Sequence, residues 1–153
     1  MDNFDSKATI NPESVTIYCD GACSGNPGAG GWGAVLLWRD QKREISGGVE
    51  KTTNNRMELM AAIQSLNALK KPSYVNIYTD STYVKNGITT WIHDWKKNGW
   101  NRGKIKNVDL WVQLDEIVAK HRVAWHWVKG HSGCQYNDAA DRLARDAIKL
   151  FGR

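Results

Sequence analysis

Apolar positions along the chain switch between two periods. Val15-Thr16-Ile17-Tyr18-Cys19 alternates in polarity and is rich in β-formers, so it predicts a strand that stops at Asp20-Gly21. The run Gly25-Asn26-Pro27-Gly28-Ala29-Gly30-Gly31 predicts a turn-rich loop. Trp32 to Trp38 and Lys42 to Val49 predict two more strands, parted by the polar Arg39-Asp40-Gln41. Short links between three strands make an antiparallel meander. The period then lengthens. Leu59, Ala62, Ile63, Leu66 and Leu69 share one arc at helical spacing, Thr53 or Asn54 can cap the start, and Pro72 follows the end. Tyr74 to Thr79 predicts a fourth strand, and residues 82–86 and 90–97 predict short helices. Val108 to Lys120 predicts a helix carrying Leu110, Trp111, Leu114, Ile117 and Val118. Val123 to Val128 predicts a fifth strand and Asn137 to Phe151 a final helix. A meander followed by strands alternating with helices predicts an α/β domain: a five-stranded mixed sheet, antiparallel then parallel, flanked by helices. Residues 1–13 read as a polar tail and 14–153 as a single domain.

Composition narrows the class. With 41% hydrophobic and 24% charged residues the chain is ordinary for a globular domain. Three Cys are too few for a secreted disulfide scaffold, so a reducing, cytoplasmic location is expected. No run of about 18 apolar residues predicts a membrane span. The first residues, with Asp2, Asp5 and Glu13, lack the apolar centre of a signal peptide. No obligatory protein partner is evident, and a monomer is expected. The net charge is +5, from 21 basic and 16 acidic residues. Lys96, Lys97, Arg102, Lys104 and Lys106 fall between Trp95 and Val108 with no acid among them. Basicity confined to one window points to a polyanion-binding surface.

Two strands echo each other. Val15-Thr16-Ile17-Tyr18-Cys19-Asp20 and Val75-Asn76-Ile77-Tyr78-Thr79-Asp80 place Val, Ile, Tyr and Asp at matching positions. As parallel neighbours they bring Asp20 and Asp80 side by side at one phase of the pleat, where the carboxylates repel unless protonated or metal-bound. Taken singly, each is equally an ordinary strand-end aspartate opening a turn. Glu58 lies in the first turn of the first long helix, at the edge of its buried arc beside Leu69. Asp141 lies about 20° from Ile148 around the last helix, again at the border of the apolar face, whereas Asp138 and Arg142 point further out. Asp20, Glu58, Asp80 and Asp141 can therefore border one site. Carboxylates without convergent thiols favour Mg²⁺ or Mn²⁺, and two such ions about 3.5–4 Å apart can polarise the water and the leaving oxygen of a phosphodiester. A zinc site from Cys19, Cys23, His131 and Cys134 is a rival, but Cys19 has the pleat phase of Val15 and Ile17, that of a buried apolar residue. A second rival is a module that binds nucleic acid without cleaving it. Four carboxylates beside such a groove argue against it.

Tyr18-Cys19-Asp20-Gly21-Ala22, Gly25-Asn26-Pro27-Gly28, Thr53-Asn54-Asn55-Arg56-Met57-Glu58-Leu59, Tyr78-Thr79-Asp80-Ser81 and Trp127-Val128-Lys129-Gly130-His131 occur in the order of the motifs of type 1 ribonuclease H. The chain resembles that family from about residue 14 to 151. The resemblance implies the ribonuclease H-like fold and endonucleolytic hydrolysis of the RNA strand of RNA–DNA hybrids, with Mg²⁺ as cofactor and Mn²⁺ as a substitute. It makes Asp20, Glu58, Asp80 and Asp141 the metal-binding carboxylates, and His131 a loop histidine serving proton transfer or product departure. Cys23, Asn26, Asn54 and Asn55 resemble the RNA-contacting positions, where 2′-hydroxyls are displayed. Lys51, Thr53 and Asn107 resemble a DNA-phosphate pocket. The region 91–107 resembles the basic protrusion of the bacterial enzymes, with Lys96, Lys97, Arg102, Lys104 and Lys106 as phosphate contacts. Trp91 is the candidate for stacking on DNA, and Trp95 for packing the protrusion onto the body. Three features depart from close bacterial relatives. Thr82 stands where Gln is usual, Lys51 stands where Arg is usual and so loses bidentate phosphate geometry, and the segment after Trp100 is shorter.

Overall fold

The computed structural model describes residues 14–100, 104–129 and 134–151. The elements run β1 (Val15–Cys23), β2 (Gly28–Trp38), β3 (Gln41–Thr52), α1 (Asn54–Asn67), β4 (Tyr74–Thr79), α2 (Thr82–Asn86), a π-helical turn (Gly87–Trp91), α3 (Ile92–Lys97), α4 (Val108–Val118), β5 (Arg122–Trp127) and α5 (Gln135–Ile148). The five strands form one sheet in the order β3-β2-β1-β4-β5. β1, β2 and β3 pair antiparallel, whereas β4 runs parallel to both β1 and β5, so the expected mixed sheet is present. Among the described residues no helix is long and apolar enough to cross a membrane.

The alternation of β1 sends its two sets of side chains to two layers. Val15, Ile17 and Cys19 join Leu59, Ala62, Ile63 and Leu66 of α1 and Leu110, Trp111 and Leu114 of α4 in the main core. On the opposite face Tyr18 meets Tyr136 of α5, with ring centroids 5.5 Å apart. α5 rests on bare backbone of β2: a Cβ added at Gly33 would lie 2.6 Å from Leu143 Cβ and 2.7 Å from the Ala140 carbonyl oxygen. Only glycine lets the helix approach so closely.

This packing explains where the strand boundaries depart from expectation. β1 does not stop at Asp20-Gly21; its ladder with β2 continues to Cys23, which pairs with Gly30. The glycine run expected as a loop enters β2 at Gly28. Glycine carries no side-chain pattern and so reads as a turn, although here its lack of a Cβ serves the close packing of helices on the sheet. Asp20 is consequently mid-strand, opposite Gly33. Smaller shifts occur elsewhere. β3 reaches Thr52, β5 spans 122–127 where 123–128 was expected, and α5 spans 135–148 where 137–151 was expected.

A polar hub joins three helices. Arg56 forms a two-pronged pair with Asp109 at 3.0 and 2.8 Å and also donates to Asn107 Oδ1 at 3.3 Å. Asn107 Nδ2 and Trp111 Nε1 both donate to the Tyr83 hydroxyl at 3.0 Å. Asn107 has φ 62°, a left-handed conformation that Asn tolerates, and its carbonyl accepts the Leu110 and Trp111 amides as α4 begins.

Candidate active site

Register brings the strand carboxylates together. β1 and β4 pair Val15 with Val75, Ile17 with Ile77 and Tyr18 with Tyr78. Tyr18 stacks on Tyr78 at 4.7 Å, and Tyr78 stacks on His126 of β5 at 4.5 Å, an aromatic floor across three parallel strands. Two residues beyond that floor stand Asp20 and Asp80. β3 passes directly into α1, where Thr53 Oγ1 caps the Arg56 amide at 3.3 Å and turns Glu58 towards β1. Glu58 Oε1 accepts the Gly21 N–H at 3.0 Å, and the same N–H reaches Asp20 Oδ1 at 2.9 Å. One oxygen each of Asp20, Glu58 and Asp80 lies within 4.8 Å of the others.

The electrostatics follow from this crowding. Asp20 is 5% exposed and Glu58 8%. Burial, then the Asp80 charge, then the hydrogen bond and charge of Asp141 push the Asp20 carboxyl up to about 8, against the lowering pull of the Gly21 amide. Glu58 is raised by burial first, then by Asp20 and Asp80. Three carboxylates this close, with Asp20 and Glu58 both raised and no thiol or imidazole in the group, fit a hard divalent cation whose charge would take the place of the protons those two retain.

Asp141 stands beside Asp20, and its Oδ2 accepts Arg145 Nε at 2.9 Å one helical turn away. His131 and Arg102 lie outside the described residues. Asn26 Oδ1 accepts the Asn54 amide at 3.1 Å, fastening the glycine loop to the start of α1, where Asn54 and Asn55 are exposed. Cys23 donates its thiol to the Gly28 and Thr52 carbonyls, both at 3.4 Å. Lys51 is exposed. Trp91 is 39% exposed and meets Tyr83 edge-on, while Trp95 packs against Trp111 at 5.2 Å and ties this segment to the body. Lys97, Lys104 and Lys106 are exposed, and Lys96 pairs with Asp115 at 3.3 Å. Cys19 is 1% exposed in the main core, which removes the first thiol of the zinc alternative.

Several residues near the carboxylates escaped sequence reasoning. Trp127 donates its indole N–H to the Asp80 carbonyl, a contact that only the register of β4 against β5 reveals. Arg145 was legible by its spacing of four from Asp141. Asn137, fully buried one turn before Asp141, has an Oδ1 without a hydrogen-bond partner among the described residues. Nothing in its neighbours along the chain signals that burial.

A carboxylate group gathered from β1, the end of β4 and the neighbouring helix, with an exposed basic segment on the same chain, is the arrangement expected of a metal-dependent nuclease. The profile of the RNase H family matches residues 12–149, and the chain belongs to that family. A ribonuclease H of Rhodopseudomonas palustris strain HaA2 is 57% identical over 94% of this chain and 91% of its own length. Among solved structures, LC9-RNase H1, a type 1 RNase H with the type 2 active-site motif, is 34% identical with TM-score 0.83, covering 90% of this chain and 73% of that one. LC11-RNase H1, solved in complex with an RNA/DNA hybrid, shares the fold at 22% identity and TM-score 0.66, covering 89% of this chain and 97% of that one.

Proposed function

We propose that this ribonuclease H hydrolyses the RNA strand of RNA–DNA hybrids endonucleolytically with two Mg²⁺ ions, leaving 5′-phosphate and 3′-hydroxyl ends. The observation that carries this reading is the triad of Asp20, Glu58 and Asp80, the first two buried and the third half-buried, close enough to repel one another. Mg²⁺ held by these residues, with Asp141 beside Asp20, would supply a polarised water nucleophile and offset charge at the leaving oxygen. Gly21 orients Asp20 and Glu58 through one shared amide, and Arg145 orients Asp141. His131 is assigned to proton transfer or product departure. The glycine loop and the start of α1, joined by the Asn26–Asn54 bond, present Cys23, Asn26, Asn54 and Asn55 as one surface for the minor groove, where 2′-hydroxyls distinguish RNA from DNA. Thr53, Asn107 and Lys51 are assigned to a phosphate of the DNA strand.

The test is one sequence offered as RNA–DNA, RNA–RNA, DNA–DNA and single-stranded RNA, with and without Mg²⁺. Cleavage confined to the hybrid with Mg²⁺ is expected. Ends carrying 2′,3′-cyclic phosphate would overturn the proposal, because they arise from attack by the 2′-hydroxyl.

The basic segment should act on affinity. Replacing Lys96, Lys97, Arg102, Lys104 and Lys106 by Ala is expected to raise KM with a smaller change in kcat. Five lost phosphate contacts would flatten the log–log salt dependence of binding by at most about 4.5, and less if Lys96 stays with Asp115. An unchanged salt slope would remove this segment from the binding surface.

A further inference from the structure

We propose that Trp127 and Thr79 are positioning residues for Asp80, clamping between them the peptide unit that follows it; the inference rests on the carboxylate site proposed above. β4 ends at Thr79 and α2 begins at Thr82, so the Asp80–Ser81 peptide belongs to neither strand nor helix. Both of its polar atoms are nevertheless held. The Asp80 carbonyl accepts the Trp127 indole N–H at 3.1 Å, and the Ser81 N–H donates to Thr79 Oγ1 at 3.0 Å. The holders come from two strands at one register, since Thr79 pairs with Trp127 and its carbonyl accepts the Val128 amide at 2.9 Å. The side chains thus extend the sheet's hydrogen bonding one peptide past the end of β4. Ser81 Oγ then caps the Val84 amide at 3.1 Å, so the clamp also sets where α2 starts.

Core burial does not account for Trp127. It is 44% exposed, among the most exposed large hydrophobic side chains of the described residues, and its only polar group is committed to Asp80. Thr79 is 1% exposed, and a Val there would match its shape while leaving the Ser81 amide unpartnered. Fixing the plane of the Asp80–Ser81 peptide fixes the ψ angle of Asp80. With β4 holding the backbone before Asp80 and the clamp holding the peptide after it, the Cα–Cβ bond that carries the carboxylate towards Asp20 and Glu58 is fixed from both sides. Groups that orient a metal-binding residue commonly change metal affinity or activity about 10–100-fold when removed.

The test compares the full chain with Trp127→Phe, which keeps a ring but loses the N–H, and Thr79→Val, with Thr79→Ser as the variant that keeps the hydroxyl. Mg²⁺ binding is followed by calorimetry and by the Mg²⁺-dependent rise in Tm, and hybrid cleavage is followed against Mg²⁺ concentration. We expect Trp127→Phe and Thr79→Val each to raise the half-saturating Mg²⁺ concentration about 10-fold and to lower kcat, with KM for the hybrid within about twofold, while Thr79→Ser stays near the parent. The double variant should lose less than the product of the two, because both act on one peptide. Variants that melt lower but keep the parent's Mg²⁺ dependence would overturn the clamp. So would a raised KM with unchanged kcat and Mg²⁺ binding, which would place the indole on the substrate instead. A parent that binds Mg²⁺ yet cleaves no hybrid would sink the proposed function alone, and the Mg²⁺ affinities would still decide the clamp.

Discussion

Asp20→Asn is expected to silence the enzyme and, with a chelator present, to melt several degrees above the parent. Asn keeps an oxygen for the Gly21 amide and removes the charge that burial and Asp80 oppose. The activity loss should reach at least about 100-fold, the scale for deleting one preorganised electrostatic group. The stability gain follows from the displaced carboxyl. Its rise from 3.8 to about 8 corresponds to a ceiling of roughly 5–6 kcal/mol. Asp20, Glu58 and Asp80 share the strain, so removing one charge should recover about 2–3 kcal/mol, or roughly 4–12 °C for a domain of this size.

The same carboxyl gives the pH dependence its sign. Between the unfolded value near 3.8 and the folded value near 8, the folded state holds a proton that the unfolded state has lost. Stability from this site is therefore full below about pH 4 and lost as pH rises through about 8. The metal-free parent should show this fall relative to Asp20→Asn. Mg²⁺ should reduce it by displacing the proton, and should raise the Tm of the parent more than that of the variant. An inactive variant that melts lower without metal, and gains as much from Mg²⁺, would make Asp20 structural.

Gly21→Ala is expected to damage stability and activity together. A Cβ at Gly21 would lie 2.4 Å from the Met57 carbonyl carbon, 2.5 Å from the Glu58 nitrogen and 2.7 Å from the Met57 oxygen. These are backbone atoms of α1, which no rotamer change can move aside. Relief requires β1 and α1 to separate, at about 3 kcal/mol or more, lowering the Tm by roughly 6–12 °C. Separation also breaks the Gly21–Glu58 bond of 3.0 Å and opens the carboxylate group. Activity should fall at least as far as Tm predicts, the Mg²⁺-induced rise in Tm should shrink, and excess Mg²⁺ should not restore cleavage. A variant melting like the parent would show that α1 yields freely, and that the close approach does not build the site.

The repeated Val-x-Ile-Tyr-x-Asp pattern was enough to name two central strands and to place Asp20 and Asp80 at one phase. The observed register pairs Val15 with Val75 and Tyr18 with Tyr78 as that pattern requires. Period two is a local property of extended backbone, so Cys19 could likewise be assigned to the core and Asp20 to the other face. Helical spacing put Glu58 at the edge of its buried arc for the same reason.

Tertiary structure decided the rest. Whether Gly28 to Gly31 made a loop or a strand depended on α5 needing bare backbone to rest on, and residues without side chains carry no period. The raised carboxyl of Asp20 arises first from its burial and then from Asp80 and Asp141, which the chain order keeps far from it. Asn107 was legible as the residue before a helix, but its ties to Arg56 and Tyr83 join elements far apart in the chain. The bond from Trp127 to the Asp80 carbonyl spans 47 residues and exists only because β4 and β5 are parallel at one register. The sequence by itself determined which residues carry the charge and which face each presents, because pleat and helix turn are local. The fold alone determined how close those charges stand and what holds them, because proximity is set by packing between elements that the chain order keeps apart.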